Sequence, residues 1–223
     1  MLPCVAPPSD DDFQDSRSPD DTDEDLPAPI TLIDVPENVA ELCGSCVQYV
    51  WRSLRVPLDF TPDTLSLVDH YLSGVRAELS QKPELGPLVA RVVGAYFGEV
   101  VRKTYFGIWR AEPRNVHDWQ VGLRTVFLWF NPIGVAYDAL FNTTEHDGPR
   151  SHLRVAAEDR EALNVRLSQA PPVPDSEFYL LTTRLEALEI AVETLRLRMS
   201  AQGYQDVEFG EADYAAEFGF GVN

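Results

Sequence analysis

Between Val92 and Leu140 the apolar period of this chain changes from about 3.6 residues to 2 and back, and no other segment restricts the fold as tightly. The helical spacing ends near Thr104. TYFGIWRAEP is aromatic and β-branched and predicts a strand ended by Pro113. DWQVGLRTVFLWF predicts a second strand, with Trp119, Val121, Leu123, Thr125, Phe127 and Trp129 on one face. The connection EPRNVHD is short enough for an antiparallel pair. Asn131-Pro132 predicts an N-cap followed by an N1 proline, opening the helix PIGVAYDALF.

Around that segment the helical pattern dominates. A first helix is expected to start near Pro36, with Val39, Leu42, Cys46, Val50 and Leu54 as its stripe and Pro57 beyond its end. Thr61 is the expected N-cap of a second, with Pro62 at N1 and Leu65, Val68, Leu72, Val75 and Leu79 inward. A third runs from about Pro87 to Thr104. Gly94 and Gly98 share one of its faces and permit a close backbone approach. SHLRVA predicts a third strand, and Glu158 to Gln169 a short helix. Ser176 is the expected cap of a last long helix striped by Leu181, Leu185, Leu188, Val192, Leu195 and Met199 and ended by Gly203. The tail from Gln205 is expected to lie on the sheet or to stay mobile. The fold class expected is α+β, about six helices on a small antiparallel sheet of roughly three strands.

Composition divides the chain. Residues 1–29 carry nine acids against Arg17 alone, and six of the 17 prolines. So few apolar side chains cannot offset ordering entropy, so this arm is expected to be disordered and solvated. Residues 30–223 keep 27 acids and 17 bases and suit a single domain. A net charge of −18 with only two lysines, Lys82 and Lys103, argues against nucleic acid as a partner. No apolar run is long enough to span a bilayer, and MLPCVAPPSDDD lacks the basic and apolar regions of a secretory signal. Three cysteines cannot all pair, which favours a reduced, cytoplasmic protein.

Motifs that carry chemistry are scarce. Cys43-Gly44-Ser45-Cys46 has the spacing of a redox dithiol or half a zinc site, but about two helical turns precede it, where the dipole no longer activates a thiol. As a metal site it lacks two further ligands. The favoured reading is two small apolar residues facing a core. Glu99 interrupts an apolar helix and needs a partner, for which Arg102 at i+3 or Arg91 is available. An enzyme reading would bring Glu99, His70 and Arg102 into one cleft as in a hydrolase. Asp69 and His70 are adjacent on a helix and do not form a ready-made dyad. His117, His146 and His152 lie in or beside loops, and Glu145, His146 and Asp147 together are a weak metal candidate. No nucleophile elbow, phosphate loop or H-E-x-x-H is present, so no cofactor is expected and an enzyme is the less favoured reading. The heptad-like stripe of the last helix would serve a core, or alternatively a homodimer.

LDFTPDTLSLVDHYL, GAYFGEVVRKTYFGIWR, FNPIGV and FYLLTTRLEALEIAVETL resemble a family of uncharacterised bacterial proteins, a domain of unknown function with a GAYFGEV helix motif. The resemblance covers roughly residues 56–199, with Leu185 where that family carries an aromatic. It implies a shared fold and no activity or site residue. The function expected is a protein-binding or adaptor domain whose partner is another protein, acting through an aromatic sheet face or the acidic arm.

Overall fold

In the computed structural model, residues 32–111 and 115–217 are described; the arm 1–29, Cys4 and Pro113 lie outside them. Helix α1, Glu37–Leu54, buries Val39, Cys43, Cys46, Val47 and Val50. Leu42 and Leu54 flank this stripe half-buried, one helical position away from the expected centre. A single 3-10 turn, Pro62–Thr64, leads into α2, Leu65–Leu79. Thr61 precedes that turn but does not cap it: its hydroxyl donates instead to Asp59 Oδ1 at 2.6 Å. Helix α3, Gly86–Tyr105, opens on Pro87 and is buried along most of its length.

The sheet corrects one expectation. Strand β1, Gly107–Arg110, pairs with β2, Gln120–Leu123, antiparallel, with Trp109 opposite Val121. The run read as one second strand is a hairpin. The chain reverses after Leu123, and β3, Leu128–Phe130, returns to set Trp129 opposite Gly122. Arg124-Thr125-Val126-Phe127 contains none of the usual turn residues, so the alternation ran through it unmarked. Tertiary hydrogen bonds hold the reversal: Arg124 N donates to Phe106 O, and Phe209 N to Arg124 O.

Asn131 caps α4, Pro132–Phe141, by accepting from Gly134 N at 3.1 Å. Strand β4, Arg154–Val155, closes a four-stranded antiparallel meander in the order β1-β2-β3-β4. A short α5, Arg160–Ser168, and a long α6, Leu181–Ala201, follow. Gly203, at φ 81°, terminates α6 as expected, with Tyr204 N donating to Met199 O. Helix α7, Glu211–Glu217, completes the described chain. The architecture is α+β, with seven helices and four strands among the described residues.

α3 and α4 form the central pair, with α1 on α3, α2 against α4 and α6, and the sheet beside α3. Glycine makes the central contact possible. A Cβ on Gly94 would stand 2.6 Å from Ile133 Cα, and one on Gly98 would overlap the indole of Trp109. The stripe of α6 faces this core: Leu181, Leu188, Val192 and Leu195 are buried, and Leu185 and Met199 half-buried against it. The described part of the tail lies on the sheet as a helix. α7 lays Tyr214 on the sheet, stacked on Phe127 and Trp129, its hydroxyl donating to the carbonyls of Leu123, Val126 and Leu128.

Candidate functional site

α3 carries a buried polar cluster. Glu99 is fully buried, and Arg102 reaches back one turn to meet it with two hydrogen bonds, Nε to Oε2 at 2.8 Å and Nη2 to Oε1 at 2.9 Å. Trp109 Nε1, brought in from β1 by the gap at Gly98, donates to the same Oε2 at 3.1 Å. The hydrogen bonds to Glu99 raise the affinity of the Arg102 guanidinium for its proton. Each Glu99 oxygen has a fixed donor, so the carboxylate is committed to the fold. The same α3 segment pins the chain elsewhere: the Tyr96 hydroxyl accepts from Phe60 N at 3.0 Å and shares a hydrogen bond with Thr64 Oγ1, holding Phe60 at φ 63°. The residues of GAYFGEV and FNPIGV thus meet at one junction of α3, α4 and β1.

Of the enzyme trio, the structure joins Arg102 to Glu99 and leaves His70 apart. His70 lies exposed on α2, while its neighbour Asp69 points inward. Asp69 does what Ser176 was expected to do. Its carboxylate accepts from Leu181 N at 2.8 Å, Thr182 N at 3.1 Å and Thr182 Oγ1 at 3.0 Å, capping α6 from 112 residues away in sequence. Seven residues on, Arg76 donates to Ala139 O and Leu140 O at the end of α4. One face of α2 therefore sets an anion at the positive end of one helix and a cation at the negative end of another.

Cys43 and Cys46 are buried free thiols facing the core one turn apart on α1. Desolvation raises both thiol pKa values, and the neighbouring Cys46 and Glu99 push Cys43 further. A thiol held protonated is a poor nucleophile and a poor metal ligand. Among the described residues no three acids, histidines or cysteines gather as a metal site. Glu145 and Asp147 are exposed, and His146 turns away from them to Asp138 on α4, Nε2 to Oδ1 at 2.8 Å. Ser151 Oγ donates to Asp138 Oδ2 at 2.5 Å, and Gly148 N donates to His146 Nδ1. A serine, a histidine and an aspartate meet, but the aspartate sits between the other two. The imidazole does not touch the hydroxyl, so it cannot take its proton as a catalytic base would. The cluster fastens loop 142–151 onto α4. Its sequence signal was absent because Asp138 lies within an otherwise apolar helix, eight and 13 residues from these partners.

The surface offers more than the core. Trp109, Trp119 and Trp129 are buried, so the aromatic sheet face is not a free surface. A groove of about 1060 Å³ runs along the outer side of α6 beneath the segment 205–208. Five carboxylates line it, Glu186, Glu189, Glu193, Asp206 and Glu208, against Arg196, whose Nη2 is tied to Thr125 Oγ1. Apolar side chains lie between them, Leu197 65% and Val207 41% exposed. No family model matches the chain, and neither the curated proteins nor the solved structures contain a significant match. Among the described residues no helix is long and apolar enough to cross a membrane.

Proposed function

We propose that this chain is a non-enzymatic protein-binding domain that seats a basic, amphipathic segment of another protein in the α6 groove. The observation that carries the reading is the groove itself, an apolar floor bordered by five carboxylates and one arginine. Apolar floor residues supply burial, and the carboxylates favour lysine and arginine over acidic competitors. A second copy of this chain would bring the same carboxylates to the same place, so a basic partner fits α6 better than a homodimer does. The buried ionisable groups support the same reading: Glu99, Asp69 and Asp138 are each saturated by structural donors rather than poised for substrate. The setting proposed is the reduced cytoplasm, in keeping with the two free thiols of α1. The junction formed by GAYFGEV and FNPIGV is consistent with a fold shared with the bacterial family it resembles.

Random-peptide display on the immobilised full chain tests this, with Glu189→Lys/Glu193→Lys as the counter-target. The expected result is enrichment of peptides that alternate apolar residues with Lys or Arg, bound about tenfold more weakly by the variant and losing affinity with added salt. Peptides bound equally by both proteins, or no enrichment, would overturn the reading.

A further inference from the structure

A second recess lies at the N-terminal end of α4, and its chemistry is the reverse of the groove's. It encloses about 240 Å³ and is walled by His117, Gln120, Asn131, Arg150, His152 and Arg154. Among the described residues no carboxylate lines it. The polar side chains of its wall come from two parts of the chain. His117 belongs to the turn before β2, Arg150 ends the loop fastened by Asp138, and His152 and Arg154 lead into and begin β4. In a chain of net charge −18, this convergence of two guanidiniums and two imidazoles contrasts with the carboxylates of the α6 groove.

Neither arginine is spent on an acid. Among the described residues no ion pair involves Arg150 or Arg154. Arg150 Nη1 donates to Thr144 O at 3.0 Å, which leaves most of its donors available. The Arg154 guanidinium lies face-on over the Trp129 ring, its central carbon 5.6 Å from the ring centre, a contact that occupies the face of the group and not its N–H edge. Asn131 is occupied, donating to Val116 O and His117 O and accepting from Gly134 N, so its part is to place His117 and to bring the positive end of the α4 dipole to the wall. The side-chain oxygen of Gln120 is buried without a partner in the protein. Rotation of that amide by a half-turn would present its NH₂ in the oxygen's place, a change that alters no heavy-atom position.

We propose that this recess binds a phosphate group, as inorganic phosphate or as a small phosphomonoester, with Arg150 and Arg154 as the charged ligands and His117, His152 and Gln120 as further donors. Guanidinium forks match the geometry of phosphate oxygens and donate two hydrogen bonds each. The recess admits a phosphate with a short substituent, and it is far smaller than the α6 groove. The two sites share no wall residue, so this proposal does not depend on the function proposed for the groove.

Calorimetric titration of the full chain at low ionic strength decides it, with inorganic phosphate and phenyl phosphate as ligands and sodium chloride at matched ionic strength as control. The expected result is saturable one-to-one binding with a Kd of a few mM or tighter. It should weaken about tenfold in Arg150→Gln/Arg154→Gln. Arg154→Gln alone should weaken it severalfold, and this variant keeps the Arg150–Thr144 contact should the double variant fold poorly. Tighter binding of phenyl phosphate assigns the site to a monoester, and equal binding assigns it to free phosphate. Absence of saturable heat below about 10 mM, or equal affinity in both variants, would overturn the proposal.

Discussion

Glu99 and Asp138 are buried carboxylates on the two central helices, and they are satisfied in opposite ways. Glu99 takes its donors from its own helix and the strand that directly follows it, Arg102 at i+3 and Trp109 at i+10. Asp138 takes them from His146, Ser151 and Arg184, the last 46 residues away at 3.5 Å. Glu99 is the inner half of an ion pair whose other half reaches the surface. Asp138 is a mooring point for a loop, and Arg184 above it is stacked on Phe178 and Tyr179. Burial keeps the Arg184 guanidinium below its ordinary pKa, and Asp138 opposes that shift. The comparison teaches that a buried charge on a helix has two uses. A near partner rigidifies the helix itself, and a distant partner positions whatever chain the distant residues belong to.

Removing one partner from each cluster should separate the two uses. Arg102→Met leaves Glu99 buried with Trp109 as its remaining donor, and should cost about 3 kcal/mol of global stability, read as a lower urea midpoint with an unchanged slope. A cost within experimental error would show that Trp109 suffices alone. Asp138→Ala should cost less, about 2 kcal/mol, because it removes the buried carboxylate itself rather than leaving one behind without its cation. Its signature should be local: faster amide exchange across residues 142–151 with the core unaffected. Uniform loss of protection would show that Asp138 supports the core rather than the loop.

Asp69 sharpens the contrast, since its partners are the most distant of all. Asp69→Ala should cost about 1–2 kcal/mol, the usual range for a lost N-cap. Its pH dependence runs against habit. Desolvation raises the folded-state pKa of Asp69, and its hydrogen bonds to Leu181 and Thr182 only partly oppose this. The folded state therefore binds the proton more tightly than the unfolded state does. The stability this group contributes is full below the unfolded value of about 4 and is lost as pH rises through the raised folded value. The gap between wild type and Asp69→Ala should narrow over that window. A gap that widens with pH would mean that the capping bonds outweigh burial.

What was legible in the sequence follows the same rule of distance. The positions of α3 and α4, the Asn131 cap, the Gly203 stop and the inward stripes of α2 and α6 were all readable, because each depends on residues within a turn or two. So was the need of Glu99 for a partner, with Arg102 and Arg91 both on offer; the structure pairs it with Arg102. The β2–β3 hairpin was not, because Arg124 to Phe127 turn without glycine, proline or asparagine, held by bonds to Phe106 and Phe209. Nor was the capping of α6 by Asp69, for which Ser176 stood as a plausible local substitute.

The sequence by itself determined a run of amphipathic helices, an aromatic antiparallel sheet and a chain poor in cationic groups, since periodicity, capping chemistry and charge are properties of neighbours along the chain. Only the tertiary structure decided where the few charged groups would meet. It sent Asp69 and Arg76 to opposite helix ends, turned His146 to Asp138 rather than to its acidic neighbours, and left His70 exposed and apart from the buried Glu99. It also gathered five carboxylates along one groove and two arginines into one recess. The longest of these reaches, Asp69 to Leu181 and Arg76 to Ala139, join residues 112 and 63 apart in the chain. The same holds for the close packing at Gly94 and Gly98, whose partners Ile133 and Trp109 no local pattern names, because packing partners are set by the whole fold and not by neighbours along the chain.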